Sequence, residues 1–196
     1  LSRRQRQMCI RDRFPRELEF YQRRANVFCG RVKDEIYSDR SSLRCEYAAT
    51  KDPVEFKKRL ELTYKTIVPG EKWGENWESA WFHVTGEIPE RFVGKEIALL
   101  VNVGGESLIF DAEGCPVYGL TGASTFSDAH AKNRFLLKGS HSAGEPVDFW
   151  IEGAANELFG LIFDKDKELR RKHPQGRFTG TLVDCSLAVF EREVWS

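Results

Sequence analysis

From Leu62 onward the dominant period becomes two, with apolar residues at alternate positions in short runs cut off by glycine or proline. That period places alternate side chains on opposite faces of an extended chain, so it commits most of the protein to half-buried β-strands. Glu61–Val68 reads as a strand halted by Pro69-Gly70. Ala80, Phe82, Val84 and Ile88 share one face of the next, with His83 and Thr85 opposite. Ile97, Leu99, Val101 and Val103 form a third set, and Gly104-Gly105 allows a sharp reversal into Ser107–Phe110. Glu113-Gly114 marks another tight turn before Val117 and Tyr118. Arg134–Lys138 is a short strand candidate, and Val147, Phe149 and Ile151 alternate again. Leu158–Phe163 is a further apolar run, Asp164–Gln175 suits a solvated loop or exposed helix, and Leu182–Phe190 gives a last strand. Eight or nine short strands separated by turn residues predict a mainly β protein, a β-sandwich of jelly-roll-like type.

The first 60 residues follow another rule. After Pro15, Leu18, Tyr21, Ala25 and Phe28 recur at helical spacing, and Gly30 is a plausible stop. Glu35–Asp39 suits a short extended patch. Pro53–Leu60 suits a second short helix, with Asp52 as its N-cap. Residues 14–60 are therefore expected to form a helical N-terminal strip, and 61–196 the sandwich. Residues 1–13, LSRRQRQMCIRDR, are basic and aperiodic and are expected to be non-native or disordered. The chain opens on Leu1, carries its one methionine at Met8 and stops at Trp195-Ser196, which suggests an incomplete reading frame.

Charge narrows the partners. Lys and Arg total 30 and Asp and Glu total 30. A balanced chain lacks the bulk positive field that holds nucleic acid, and no apolar run reaches the ~20 residues of a membrane span. Neither nucleic acid nor membrane is expected as a partner. The five cysteines, Cys9, Cys29, Cys45, Cys115 and Cys185, include no C-x-x-C pair and are odd in number. That usage fits reduced thiols and a cytoplasmic location.

No catalytic constellation stands out. No serine sits in G-x-S-x-G, and the Gly104-Gly105 pair lacks the lysine and helix of a phosphate loop. Asp128-x-His130 with His141 is the one conceivable metal set, but its spacing is unspecific, so no metal or catalytic residue is assigned. The aromatic residues say more. Trp73, Trp77 and Trp81 come four apart, beside Phe82. Tryptophans so clustered can stack on a sugar ring, pack a core or dock another domain. Asn156 and Glu157, in the Ala154–Gly160 loop after a strand, fix the turn or touch a ligand. Trp73, Trp77, Trp81, Asn156 and Glu157 are accordingly the candidate glycan or interdomain contacts.

At these residues a family resemblance emerges. Trp73 to Leu120, WGENWESAWFHVTGEIPERFVGKEIALLVNVGGESLIFDAEGCPVYGL, resembles the N-terminal domain of the glycoside hydrolase family 38 α-mannosidases, and looks like their cytosolic and vacuolar branch. The likeness runs through Trp77, Trp81-Phe82, Ile88-Pro89, Gly94 to Val101 and Gly105 to Leu120. It continues through Ile151-Glu152, Ala155-Asn156 and Phe159-Gly160 to Leu187–Trp195. The resemblance implies a β-sandwich that braces a catalytic domain. It implies an enzyme that hydrolyses terminal α-mannosides with retention, at an aspartate and histidine zinc site carried by an H-x-H-x-D motif. No such motif occurs here, so zinc is implied for a catalytic domain expected to lie downstream of this chain, and no cofactor is expected in the chain itself. The implied partners are that domain, further copies of the chain, and α-mannoside oligosaccharides through the whole enzyme. A freestanding carbohydrate-binding module using Trp73 and Trp77 is the alternative.

Overall fold

The computed structural model describes residues 3–122, 131–156, 168, 171 and 178–195, with the backbone alone for residues 3–16, 33 and 34. The chain divides into two compact units, Leu1–Ser38 with Phe190–Ser196, and Asp39–Val189.

The smaller unit is built on helix α1, Arg3–Ile36. The helix starts before Pro15, so residues 3–13 are helical where no order was expected. It also runs through Gly30. That glycine does not adopt the left-handed backbone that would cap a helix, so it continues the turn. Leu18, Tyr21 and Phe28 are exposed, so their helical spacing marks a stripe without marking a core. The C-terminal turn α2, Arg192–Trp195, completes this unit. The Glu191 N–H donates to the Ile36 carbonyl (2.9 Å), and the Ser38 hydroxyl bonds the Glu191 carboxylate. Phe190 lies between Tyr37 and Trp195 at 6.0 and 6.3 Å.

The larger unit is a sandwich of antiparallel sheets. Its strands are β1 (Tyr37–Ser42, which begins in the smaller unit), β2 (Arg44–Thr50), β3 (Lys65–Thr66), β4 (Lys72–Glu75), β5 (Ser79–Glu87), β6 (Ile97–Asn102), β7 (Glu106–Phe110), β8 (Pro116–Thr121), β9 (Arg134–Leu136), β10 (Pro146–Ala154), β11 (Thr179–Thr181) and β12 (Asp184–Phe190). One sheet has the order β1-β12-β6-β9 and the other β3-β2-β5-β10-β7-β8, with β4 and β11 as a separate pair. Tyr37–Ser42 and Arg44–Thr50 are strands, although the strip holding them was expected to be helical apart from an extended patch at Glu35–Asp39. The reason lies in β2, where Cys45 and Tyr47 point inward and seven residues pair with β5 from Arg44↔Thr85 to Thr50↔Ser79.

Across the six-stranded sheet, the register lines up Tyr47, Phe82, Ile151, Ile109 and Tyr118 in one row. Phe82, Ile109 and Ile151 are fully buried, and Leu99 and Leu187 of the facing sheet join the same core. β6 is buried at Ala98 and Leu100 as well as at Ile97, Leu99 and Val101, so both of its faces are covered. The Gly104-Gly105 reversal is a crossing between sheets and not a hairpin, because β6 and β7 belong to different sheets. The crossing is too tight for side chains. A Cβ on Gly105 would lie 2.0 Å from the Ala154 carbonyl oxygen, and one on Gly104 2.4 Å from that of Thr181. The expected hairpin at Glu113-Gly114 does form, joining β7 to β8. There the Asp111 carboxylate accepts from the Cys115 N–H (2.7 Å).

The short helix expected over Pro53–Leu60 forms as a 3-10 turn, and the strand expected over Glu61–Val68 shrinks to two residues. Phe56–Glu61 is a 3-10 helix, preceded by Glu55 with no side-chain cap, so Asp52 does not cap it. Only Lys65–Thr66 pairs as strand, because the segment lies on the outer face of the six-stranded sheet. Trp81 reaches out from β5 to donate its Nε1–H to the Val54 carbonyl (2.8 Å). Phe56 meets Trp81 edge-on at 5.7 Å, and the Arg59 guanidinium lies over Phe56 and Trp150 at 3.5 and 4.4 Å.

Phe82→Ala is expected to destabilise the chain by about 3–5 kcal/mol, since it empties the centre of the buried row. Val68→Ala, at an exposed position, is expected to change stability by less than about 0.5 kcal/mol. Urea unfolding midpoints of the two variants check the contrast.

Candidate functional site

The three tryptophans do not act together. Trp73 is 5% exposed, Trp81 2% and Trp77 50%. Trp73 sits on β4, where its indole meets Phe82 edge-on at 5.2 Å and donates to the Val103 carbonyl (2.6 Å). Its ring also covers Gly180 of β11, where a Cβ would come within 2.2 Å. Trp81 is packed under the Phe56–Glu61 segment. A sugar platform of Trp73 and Trp77 is therefore excluded: the first ring is in the core, and a spacing of four runs across a strand, a turn and another strand, not along one face.

Trp77 is held outward by its backbone. Its φ is +65°, in the left-handed region that non-glycine residues rarely adopt. Its N–H donates to the Ala155 carbonyl (2.9 Å), and the Ala155 N–H returns a bond to the Glu78 carbonyl (2.8 Å). The Asn76 side chain accepts from the Phe178 N–H. Asn156 is buried next to this turn, at the end of β10. It accepts from the Glu106 N–H (3.4 Å) and donates to the Glu106 carboxylate (3.3 Å), tying β10 to β7. Asn156 is thus a structural tie behind an exposed indole. Glu157 lies outside the described residues.

Other polar clusters escaped sequence reasoning. His83 stacks on Trp150 at 4.0 Å, with planes 4° apart, and shares a hydrogen bond with Asp148 (3.0 Å). All three occupy outward positions that read as solvent-facing. Glu152, on the same face, is raised above the usual carboxylate range by burial. Tyr64 meets Trp150 edge-on at 5.7 Å and donates to the Arg59 carbonyl (2.9 Å). Burial pushes the Tyr64 phenol up to about 12, while the Arg59 charge pulls it down. Cys45 and Cys185 are buried free thiols from facing sheets. The Cys185 thiol is pushed up by its hydrogen bond with Cys45 and by burial. Cys29 and Cys115 are exposed, so only two of the four described cysteines are core residues. No three His, Cys, Asp or Glu residues converge on a metal position among the described residues. Asp128 and His130 lie outside them, and His141 is paired with Glu145 (2.9 Å). Among the described residues no helix is long and apolar enough to cross a membrane.

This sandwich matches the family model described as alpha-mannosidase, jelly roll domain, over residues 42–174. The chain belongs to that family. Alpha-mannosidase 2C1 of Mus musculus is 28% identical over 167 residues, covering 84% of this chain and 15% of the mouse protein. Alpha-mannosidase G of Dictyostelium discoideum is 29% identical over 136 residues, covering 66% of this chain and 12% of that protein. The human alpha-mannosidase 2C1 is 28% identical over 147 residues, 74% of this chain and 13% of its own length. The chain thus spans 12–15% of the length of these relatives. The jelly-roll match begins within β1, so α1 falls outside it.

Two outcomes are expected at this site. Trp77→Gly relieves the left-handed strain that Trp77→Ala keeps, so the glycine variant is expected to be more stable by about 1 kcal/mol. An alanine variant with an equal or higher urea midpoint would show the turn to be unstrained. The Tyr64 phenol is raised above its ordinary value of 10.0, so its contribution to stability is complete below pH 10 and lost as pH climbs towards about 12. Wild-type stability is expected to fall more steeply across that window than that of Tyr64→Phe, and parallel curves would refute this.

Proposed function

We propose that this chain is the non-catalytic N-terminal domain of a retaining α-mannosidase of glycoside hydrolase family 38. In this reading the enzyme removes terminal α-mannosides in oligosaccharide catabolism, and the sandwich braces its zinc-dependent catalytic domain. The observation that carries it is the jelly-roll match over residues 42–174 in a chain spanning 12–15% of its alpha-mannosidase relatives. In this reading zinc belongs to the catalytic domain and not to the sandwich. Free Cys45 and Cys185 at the centre of the sandwich fit a reducing compartment, which supports a cytoplasmic enzyme. Contacts between copies of the chain, and the mannoside substrate, belong to the whole enzyme.

Trp77 is the contact we assign to the brace. A large amphipathic ring held outward by a left-handed backbone is placed to pack against a partner surface. In the intact mannosidase, Trp77→Ala is expected to cost about 2 kcal/mol of interdomain binding and to shorten the thermal half-life of activity. The same substitution in the 196-residue chain is expected to leave its unfolding within about 0.5 kcal/mol. Equal half-lives for wild type and variant would sink the bracing role. Turnover of an aryl α-mannoside by the 196-residue chain alone would sink its non-catalytic character.

A further inference from the structure

Leu18, Tyr21, Ala25 and Phe28 recur along α1 at spacings of three and four. At about 100° of turn per residue they fall in one strip about 80° wide. All four are exposed, Tyr21 and Phe28 by 63% and 67%. A long helix draws most of its stability from packing its apolar face, and here that face is bare. Single exposed apolar residues are ordinary, whereas a contiguous strip marks a contact surface.

The spacing is that of a coiled-coil seam. With Leu18 and Ala25 at the a positions of a heptad, Tyr21 and Phe28 fall at d. The g positions flanking one side are Glu17, Arg24 and Arg31, and the e positions flanking the other are Gln22 and Cys29. The opposite side of the helix carries Glu19, Arg23 and Asn26 and is polar. Over Glu17–Arg31 three arginines stand against two glutamates, too slight a positive balance to hold an anionic membrane surface.

This strip and its flanks complement themselves when reversed. Let a second α1 lie antiparallel, with the two-fold axis level with Arg23. Leu18 then meets Phe28 of the second copy and Tyr21 meets its Ala25, each twice over by symmetry. A ring falls on a small side chain at the Tyr21 layers, so they fill without overlap. Glu17 flanks Arg31 of the second copy, again twice, as opposite charges. Arg24 comes opposite its own copy at the axis. That repulsion is eased because its guanidinium lies over the Phe20 ring at 5.7 Å, off the strip. Other arrangements fit worse. A parallel pair sets Glu17 against Gln22 and Arg24 against Cys29, with no ion pair. A slip of one heptad either leaves Phe28 unmatched or sets Arg24 against Arg31 twice.

We propose that α1 is a self-association surface through which two copies of this chain pair antiparallel. Leu18, Tyr21, Ala25 and Phe28 form the seam, and Glu17 with Arg31 sets its direction and register. The inference does not rest on the bracing role. It is read from α1, which lies outside the jelly-roll match, whereas the brace is assigned to Trp77 of the larger unit. In the whole enzyme the same helix is a contact between copies. The seam is short and its ion pairs are exposed to solvent, so the pair is weak, with an expected Kd of about 100 µM.

The test is sedimentation equilibrium of the 196-residue chain from about 10 µM to about 1 mM. A monomer–dimer equilibrium is expected. Phe28→Ala is expected to weaken it at least about tenfold, and Trp77→Ala to leave it unchanged. Glu17→Arg and Arg31→Glu each bring like charges together twice and are expected to weaken it about tenfold. The double variant carrying both changes is expected to return to within about threefold of wild type. Arg24→Gln removes the repulsion at the axis and is expected to tighten the dimer about threefold. All these positions are exposed, so the variants are expected to keep the wild-type urea midpoint, and the charge swap tests the seam even if Phe28→Ala fails to fold. A monomer up to about 1 mM overturns the proposal and leaves the rest of the mannosidase as the strip's occupant. A dimer indifferent to Phe28→Ala, one broken by Trp77→Ala, or a double variant no tighter than the single ones overturns it as well. Such a failure leaves the bracing role standing, because that role is read from heat inactivation of the intact enzyme.

Discussion

The fold turns on two adjacent residues, Trp81 and Phe82. Neighbours on a strand point to opposite faces. Phe82 goes inward, where Trp73 meets it edge-on, Tyr47 stacks at 6.1 Å, and Gly153 passes so close that a Cβ there would lie 3.0 Å from the ring. Trp81 goes outward and is covered by the Phe56–Glu61 segment, with its indole N–H bonded to Val54. A single dipeptide therefore anchors two layers. The inner layer is the sandwich core, and the outer layer turns one face of an antiparallel sheet, which could have stayed wet, into a second buried surface. The half-burial of Trp150, the raised pKa of Tyr64 and the stacking of Arg59 between two rings all depend on that outer layer.

β5, β6, β7, β8, β9, β10 and β12 all lie where apolar runs bounded by turn residues placed them. In β7 and β10 alternation records burial of one face, whereas β6 and β12 are buried on both faces and are marked by their continuous apolar runs. Legibility failed for three physical reasons. β2 was missed because Ala48, on its outer face, is buried too, which blurs the alternation into an apolar run. The Leu62–Val68 run overstated β3, because Tyr64 serves the outer layer and not the ladder. Gly104-Gly105 suggested a hairpin, since a sharp reversal looks the same in sequence whether the chain returns to its own sheet or crosses to the facing one.

The candidate contacts split along the same line. Spacing grouped Trp73, Trp77 and Trp81, but only the turn geometry separates them. Trp73 lies on a strand before the turn, Trp81 on the strand after it, and Trp77 at the turn itself with φ +65°. Nothing in residue identity marks a tryptophan as left-handed, as a glycine or asparagine would be marked. Asn156 was expected to hold a turn or touch a ligand, and it holds the junction of β10 and β7. The His141–Glu145 pair could have been found from its sequence. A histidine four residues before a glutamate, with Gly144 and Pro146 enforcing a turn, brings imidazole and carboxylate together without a helix.

A sandwich has two ends, and β10 treats them differently. At Ala154 the chain closes tightly. Ala155 is fully buried, Asn156 is bonded to Glu106, and the strain needed to turn the corner is carried by Trp77. At Pro146 the facing strand is short and the aromatic residues are only half-covered. Closure at one end gives a rigid base from which a large apolar ring can be presented without shifting. Incomplete closure at the other leaves half-covered aromatic residues next to the His141–Glu145 pair. The core row through Phe82 and Ile151 stands between them, fully buried, and close packing of that kind resists compression and couples the two ends mechanically. The two ends differ in kind: one presents an exposed ring on a closed turn, and the other leaves aromatic residues half-covered beside a three-residue edge strand.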